Sequence, residues 1–290
     1  MKILLLGASG QVGWELRRSL AALGELTALD RHSDAHGGDL ADLAGLAKTV
    51  QLVRPHVVVN AAAYTAVDKA ETESDLAHTI NALAPEVLAQ EATKLGALMV
   101  HYSTDYVFDG SGAVAWTETD AVAPLNVYGH TKLDGERRIQ KACPHHLIFR
   151  TSWVYAARGN NFAKTMLRLG TERDRLTVIA DQFGAPTGAD LLADVTAHAI
   201  RQVIQKPSLA GLYNLAAAGE TSWHGYAEFV LMQTSLSKQI DIAPVASSAF
   251  VTAARRPHNS RLNTHKLQAA FGLTMPPWQD GVARMLSEIA

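Results

Sequence analysis

Short apolar runs alternate with segments of helical periodicity through the first half of this chain. Five runs have the length of strands, at residues 2–6, 26–29, 57–60, 98–102 and 147–150. Between them, apolar residues recur every three or four positions, as at Val12, Leu16, Leu20 and Leu23. Strands that are apolar throughout are typically buried on both faces. The pattern therefore predicts an α/β fold, with helices covering both faces of a doubly wound parallel sheet.

Charge and composition exclude several classes of partner. The chain has 290 residues and a formal net charge of −2, without the basic runs that bind nucleic acid or an anionic membrane. It has no uninterrupted apolar stretch long enough to span a membrane. With Cys143 as its one cysteine, it forms no intramolecular disulfide, which is typical of a reducing compartment. We therefore expect a cytoplasmic protein.

Three glycines follow the first apolar run. Gly7, Gly10 and Gly13 form a G-x-x-G-x-x-G pattern between the predicted strand and the predicted helix. Glycine permits a tight turn, close approach of the backbone to a pyrophosphate, and close packing of helix on strand. The free N–H groups at the start of the helix also attract phosphate. The pattern indicates dinucleotide binding on a Rossmann-type sheet, and an ordinary strand-to-helix turn is the alternative.

The alternating pattern loosens beyond Tyr155. We predict a dinucleotide-binding domain over residues 1–155, with late sheet strands from about 176–217. These late strands are expected at 176–180 and 211–215. Residues 156–290 are otherwise predicted to form a smaller, interleaved lobe that binds substrate.

Asp30 and Arg31 follow the second run and give conflicting signals about the cofactor. Asp30 lies about 20 residues after the glycine turn, where an acid holds the adenosine ribose hydroxyls and favours NAD. Arg31 suits the 2′-phosphate of NADP. We therefore expect NADPH or NADH. Asp39 and Leu40 would flank the adenine and residues 61–65 the ribose, although Asp39 is equally suited to cap a helix beginning near Leu40.

A threonine, a tyrosine and a lysine supply candidate chemistry. Tyr128 and Lys132 stand four residues apart, so they share one face of a helix. A neighbouring ammonium lowers the pKa of a tyrosine, which is otherwise about 10. Thr104 follows the fourth run, at the edge where doubly wound sheets bind ligands. We expect Thr104 to bind a substrate oxygen, Tyr128 to exchange a proton with it and Lys132 to tune Tyr128; the alternatives are a strand-ending threonine and an ordinary surface helix.

These motifs together resemble the extended short-chain dehydrogenase/reductases. Seven further blocks, spread over nearly the whole chain, resemble the members of that family that reduce a nucleotide-linked keto sugar: NAAAYTAVDKAE, HYSTDYVFDG, PLNVYGHTKLDGE, FRTSWVY, GNNFAKTMLR, DQFGAPT and RPHNSRL. The resemblance implies reduction of the C4 ketone of dTDP-4-dehydro-β-L-rhamnose to dTDP-β-L-rhamnose by NADPH or NADH. This is the last step of dTDP-L-rhamnose synthesis for polysaccharides. A homodimer is also implied.

The resemblance also assigns site residues. Beside Gly7 and Gly13 of the turn, it implies cofactor contacts from Tyr128 and Lys132 and from Gly10, Gln11, Val12, Asp30, Asp39, Leu40, Ala63, Tyr64, Thr65 and Tyr102. It implies substrate contacts from Thr104, Asp105 and Trp153. The Trp153 indole suits the apolar face of a deoxysugar, and a core position is the alternative. Arg256 suits the diphosphate of the substrate or a nearby acid.

Two places depart from the family pattern. Asp105 is followed by Tyr106, where dehydratases of the superfamily place a second acid, so we expect reduction without loss of water. Some family members bind Mg²⁺ at a dimer interface through acidic residues. The nearest matches are Glu15, Asp190 and Glu288, of which Asp190 is shorter than the expected glutamate. The alternative is that all three are solvated acids.

Two other functions stay open. Certain relatives are non-catalytic regulatory subunits that hold NADP and dock on another enzyme, and these can keep the Tyr–Lys pair. A sibling nucleotide-sugar epimerase or reductase would use the same motifs, and an epimerase would hold and recycle its NAD. The substrate-side blocks favour the reductase over both alternatives.

Overall fold

The computed structural model describes residues 1–33, 36–233 and 240–289. Its strands, in chain order, are β1 Lys2–Leu6, β2 Glu25–Leu29, β3 Val57–Asn60, β4 Leu98–Thr104, β5 His146–Thr151, β6 Val154–Tyr155, β7 Arg175–Ile179, β8 Phe183–Gly184, β9 Thr187–Gly188, β10 Gly211–Asn214, β11 Thr221–Ser222 and β12 Asp241–Val245. Its α-helices are α1 Gln11–Ala21, α2 Leu43–Val53, α3 Val67–Ala70, α4 Ser74–His78, α5 Ala84–Leu95, α6 Val127–Ala142, α7 Phe162–Glu172, α8 Ala189–Gln205, α9 Trp223–Met232, α10 His265–Phe271 and α11 Trp278–Ile289.

A central parallel sheet has the strand order β10-β5-β4-β3-β1-β2. The chain runs outward from β1 to β2 and then crosses back to β3 on the other side of β1. This reversal opens a crevice at the carboxyl ends of β1 and β3, which is where doubly wound sheets bind ligands. The predicted fold class is therefore confirmed.

Both faces of the central sheet are buried. Along β1, Ile3 and Leu5 belong to one hydrophobic cluster and Leu4 to the other, and all three are fully buried. Leu16 of α1 and Leu192 of α8 pack on the first face. Helices α2, α5 and α6 pack on the second face. Continuous apolar strands form here because each residue, whichever way it points, meets a helix.

One predicted sheet strand lies outside the central sheet. β10 joins its edge as expected, but β7 pairs with β12 instead. Along β7, Leu176 and Val178 are buried whereas Arg175 and Thr177 are exposed. This alternation is typical of a sheet with one solvated face, so a strand over 176–180 does not fit the doubly covered central sheet.

A second hydrophobic core lies among α7, α9 and α11. Tyr226 at its centre is 1% exposed, and its ring lies 5.7 Å from that of Trp278. Among the described residues, no helix has both the length and the apolar character needed to cross a membrane.

Candidate active site

A cleft of about 1020 Å³ runs along the carboxyl edge of the central sheet. The predicted cofactor-binding residues that line it are Gly7, Gly10, Gln11, Val12, Asp30, Asp39, Leu40, Ala63, Tyr64, Thr65, Tyr102, Tyr128 and Lys132. Gly13 lies behind this wall. Residues from the ends of five parallel strands therefore converge on one cavity, since the carboxyl ends of parallel strands share an edge.

The glycine turn can pack this closely against its neighbours only because its residues lack side chains. Gly7 has a φ of +81°, and a Cβ there would lie 2.6 Å from the backbone nitrogen of Ala62. A Cβ on Gly13 would lie 1.9 Å from the carbonyl oxygen of Gly7. No side chain caps α1 at Gly10. The N–H groups of the first turn of α1 are therefore left unpaired by a capping group and face the cleft. The turn thus fits a dinucleotide phosphate.

The opposite wall carries both signs of charge. Asp42 caps α2 by accepting a backbone N–H of its first turn at 2.9 Å, so Asp39 is not the cap. α2 therefore begins three residues later than the periodicity suggested, and Leu40 lies in the loop before it. The guanidinium of Arg31 lies 3.8 Å from the carboxylate of Asp39, close to Asp30 on the same wall. Hydrogen-bond acceptors and a cation are both available for an adenosine ribose.

Tyr128 lines the inner end of the cleft, and Thr104 is buried next to it. Asn126 starts α6 by accepting the N–H of Gly129 at 2.8 Å, which sets Tyr128 on the first turn. The Thr104 hydroxyl hydrogen-bonds Tyr128, and it also accepts the N–H of Tyr106 at 3.2 Å. Burial raises the pKa of Tyr128 to about 12, against the opposing effect of the Thr104 hydrogen bond. Tyr128 is therefore a neutral phenol at physiological pH and carries a proton to donate.

Lys132 is directed toward β4. Its side chain is 1% exposed, and Nζ donates to the carbonyl oxygen of Tyr102 at 2.5 Å. Burial lowers the pKa of Lys132 to about 8, with the charge of Glu136 acting in the opposite direction. The sequence predicted that Lys132 lowers the pKa of Tyr128. In the structure burial raises the pKa of Tyr128 instead, and Lys132 faces β4, so the role of Lys132 in the reaction stays a prediction.

Asp105 is buried directly behind Thr104. It is 2% exposed and accepts a hydrogen bond from the Thr104 hydroxyl at 3.1 Å. Burial raises the pKa of Asp105 to about 7, although hydrogen bonds from Ser260 and Thr104 favour the carboxylate. A carboxyl that titrates near neutral pH therefore lies beside the tyrosine and threonine.

The pKa of Asp105 predicts a specific pH dependence of stability. Because the pKa is higher in the folded than in the unfolded protein, ionisation of Asp105 destabilises the fold as pH rises from about 4 to 7. Relative to Asp105→Asn, the wild type should lose up to about 4 kcal/mol over this range. Urea denaturation of both proteins at pH 4 to 8 measures this difference.

Asp109 provides a control of opposite sign. It accepts the N–H of Ser111 at 2.8 Å, which lowers the pKa of Asp109. Asp109→Asn should therefore cost stability above the unfolded-state pKa, not below it. A pH-independent difference between wild type and Asp105→Asn would contradict the buried, protonated carboxyl.

Trp153 and Arg256 do not line the cleft. Trp153 has a φ of +51°, is half-buried against the second core and stacks on Trp223 with ring centroids 3.6 Å apart. Arg256 pairs with Asp68 at 2.6 Å. The substrate contacts that the resemblance implies for these two residues stay predictions.

The three predicted magnesium ligands are paired with arginines. Arg284 lies 3.3 Å from Asp190 and 3.1 Å from Glu288, and Arg18 lies 3.4 Å from Glu15. Within the described residues, no group of three metal-ligating side chains is assembled. All three carboxylates line one small cavity with Arg284, and in the single chain guanidinium groups satisfy them. The magnesium site, which the resemblance places at a dimer interface, stays a prediction.

Sequence reasoning missed Arg158, which also lines the cleft. Its guanidinium stacks on the exposed ring of Trp14, 4.1 Å from the ring centroid. The next residue, Gly159, packs against Gln11 in the first turn of α1. The GNNFAKT block pointed to this loop, because its Asn161 caps α7 and contacts Gln11. No local signal indicated that the preceding arginine reaches the cleft.

Comparison with known proteins agrees with this geometry. The model of the RmlD substrate binding domain family matches residues 1–290. A dTDP-4-dehydrorhamnose reductase of Shigella flexneri is 58% identical over 100% of this chain and 98% of its own. The structure of one from Clostridium acetobutylicum superposes with a TM-score of 0.92 at 36% identity, covering 100% of this chain and 99% of that one. One from Bacillus anthracis, solved in complex with NADP, gives 0.90 at 35%, covering 99% of each chain. The chain therefore belongs to the RmlD substrate binding domain family, like the dTDP-4-dehydrorhamnose reductases that it resembles over its whole length.

Proposed function

We propose that this protein is an NADPH- or NADH-dependent reductase that converts dTDP-4-dehydro-β-L-rhamnose to dTDP-β-L-rhamnose. The observation that carries the proposal is that Tyr128 and Lys132 line a cleft that begins at a dinucleotide turn, with Thr104 next to Tyr128. Full-length relatives at 57–58% identity carry the name of this activity. The product is the activated sugar for polysaccharide synthesis.

The residues divide the chemistry between them. When bound, a reduced nicotinamide supplies the hydride that adds to the C4 carbonyl carbon. Tyr128 donates its phenolic proton to the carbonyl oxygen as that oxygen becomes an alkoxide, so ketone, hydride and proton give the alcohol. Thr104 hydrogen-bonds the same oxygen and stabilises its developing charge. In the structure the single hydroxyl hydrogen of Thr104 is donated to Asp105, so it must turn from Asp105 to the substrate oxygen during the reaction.

Cofactor binding and substrate binding are also divided between two parts of the chain. We propose that residues 1–155 with β10 hold the dinucleotide, and that the remaining part, around the second core, holds the sugar nucleotide. Lys132 and Tyr102 would meet the nicotinamide ribose, and Asp30 with Arg31 the adenosine ribose. The homodimer and the cytoplasmic location implied by the resemblance stay predictions.

A product assay tests the proposed function. The purified protein is incubated with enzymatically prepared dTDP-4-dehydro-β-L-rhamnose and with NADPH or NADH, and the sugar nucleotide is identified by NMR. The expected result is dTDP-β-L-rhamnose, formed one for one with cofactor oxidation. Bound NAD that does not exchange would instead indicate an epimerase. Tight NADP binding without turnover, together with a stoichiometric partner enzyme, would indicate a regulatory subunit.

Arg158 and Arg31 should contribute differently to cofactor affinity. Arg158 lies near the phosphate turn that both cofactors share, so Arg158→Ala should raise the Kd of NADPH and of NADH about tenfold each. Arg31→Ala should weaken NADPH alone, because only NADPH carries the 2′-phosphate. Fluorescence titration of the reduced nicotinamide measures both constants.

Arg17 is the matched control for Arg158. It stacks on the same tryptophan, 5.0 Å from the ring centroid, but it is not part of the cleft wall. Arg17→Ala should leave both constants unchanged. Equal effects of Arg17→Ala and Arg158→Ala would show that loss of positive surface charge, rather than a local contact, weakens binding.

A further inference from the structure

A buried chain of three polar side chains lies behind the catalytic tyrosine. Asn60 ends β3 and His101 faces it across the sheet in β4, in direct register. The amide nitrogen of Asn60 lies 3.2 Å from His101 Nδ1, and His101 Nε2 lies 3.1 Å from Lys132 Nζ. Each of the three residues is 1% exposed, so these contacts are made without solvent. Each N–H donor of these three side chains must therefore find an acceptor among them or in the adjoining backbone.

Asn60 determines which nitrogen of His101 carries the proton. The Asn60 amide oxygen accepts the backbone N–H of Ala62 at 3.1 Å, which directs the amide NH₂ group toward His101. His101 Nδ1 must therefore accept this hydrogen bond and cannot be protonated. Burial lowers the pKa of His101 well below its usual value, so its imidazole is neutral. A neutral imidazole with a bare Nδ1 carries its proton on Nε2.

This tautomer determines which form of Lys132 fits. His101 Nε2–H is a donor that points at Lys132 Nζ. An ammonium has three donors and no lone pair, so it cannot accept this hydrogen bond, whereas a neutral amine can. The amine also keeps a proton to donate to the carbonyl oxygen of Tyr102. An ammonium would require the other His101 tautomer and a turned Asn60 amide, which would leave the Ala62 N–H unpaired.

The other titratable groups near Lys132 are either paired with a partner of their own or uncharged. Glu136, one turn further along α6, favours the ammonium, but it is held by Arg150 of β5 through two hydrogen bonds of 2.9 and 2.7 Å. On the cleft side, Tyr128 is neutral, and Asp105 beyond the end of β4 is buried with a raised pKa. The lowered pKa of Lys132, about 8, agrees with a lysine that is easily deprotonated.

We propose that His101 is a positioning residue for Lys132, and that the Asn60–His101–Lys132 chain favours the neutral amine of Lys132 in the cofactor-free protein, so that this lysine gains and loses its proton close to neutral pH. The inference deepens the proposed function, because Lys132 belongs to the proposed catalytic group. Lys132 can then both take up and release a proton near neutral pH, in contrast to an ordinary lysine with a pKa of about 10.4.

Two substitutions change the tautomer or replace the imidazole. In Asn60→Asp, the carboxylate can still accept the N–H of Ala62, but it also accepts a proton from His101 Nδ1. His101 Nε2 then becomes an acceptor for the Lys132 ammonium. In His101→Gln, the amide oxygen accepts from the ammonium without adding charge. Both variants should therefore favour the ammonium and raise the pH at which Lys132 titrates.

The test is an NMR titration of Lys132 in the full-length, cofactor-free protein. Lysine is labelled at the ε-carbon and ζ-nitrogen, and Lys132→Met identifies the Lys132 signal. The wild-type midpoint should lie near pH 8, and each variant should raise it by about one to two pH units. A wild-type midpoint above about 10, or an unchanged midpoint in Asn60→Asp, would overturn the proposal. If His101→Gln does not fold, the wild type and Asn60→Asp still decide it, and none of these results requires the substrate.

Discussion

Tyr128→Phe should lower kcat by about 10² to 10⁴-fold, because it removes the proton donor and leaves the rest of the site in place. The phenylalanine ring can keep the edge-on contact with Tyr106, whose ring centroid lies 5.7 Å away. The glycine turn and the ribose-binding wall are also unchanged. We therefore expect the Kd for NADPH to change less than threefold, on the order of what loss of one hydrogen bond to a neutral group causes. Single-turnover kinetics and fluorescence titration measure the two quantities separately.

The control for this prediction is Tyr213→Phe. Tyr213 donates its hydroxyl to the carbonyl of Leu209 and lies outside the cleft. Loss of the Tyr213 hydroxyl should affect the free energy of unfolding but not kcat. Normal turnover by Tyr128→Phe would show that another group donates the proton, and the assignment of Tyr128 would fail.

Glu136→Gln should lower the free energy of unfolding by about 3–5 kcal/mol. Glu136 and Arg150 are 1% and 4% exposed and form a bidentate pair. Removal of the carboxylate leaves the guanidinium charged, buried and without its counter-ion. This cost is a large fraction of the 5–15 kcal/mol by which domains are usually stable. Urea denaturation at pH 7 measures it.

Glu86→Gln tests whether burial is the reason. Glu86 lies 2.5 Å from Arg138, but their side chains are 28% and 32% exposed. Water can replace the lost carboxylate there, and Arg138 keeps its contact with Asp134. The expected loss is therefore at most about 1 kcal/mol. Equal losses in Glu86→Gln and Glu136→Gln would contradict the argument from burial.

The sequence predicted most of the backbone architecture correctly. The five strands of the first half lie where the apolar runs indicated. In β1, β3, β4 and β5 nearly every residue is buried, and burial on both faces demands uninterrupted apolar residues. The glycine turn was predictable for a similar reason: at Gly7 and Gly13 a single added carbon would collide with backbone. The strand over 176–180 was predicted for the central sheet, but it pairs with β12, because Leu176 and Val178 alternate with exposed neighbours and fit a sheet with one solvated face.

The candidate site was predictable where position along the chain settles it. Thr104 ends a central strand, and Tyr128 lies on the first turn of the helix that follows, so both meet the carboxyl edge of the sheet. The direction in which a side chain points, and its protonation state, were less predictable. Lys132 shares a helix face with Tyr128, but the position of its side-chain nitrogen is decided by His101 and the Tyr102 carbonyl on β4. The pKa of Tyr128 is decided by how much water the fold removes.

By itself, the sequence determined the parallel sheet, the phosphate turn and the edge at which the reacting groups gather. These features follow from local periodicity and from backbone positions that accept only glycine. The tertiary structure alone decided which side chains pair: Arg256 with Asp68, 188 residues away, Arg158 with Trp14, and Lys132 with His101. Such pairs depend on distances across packed elements, and no spacing along one chain encodes them.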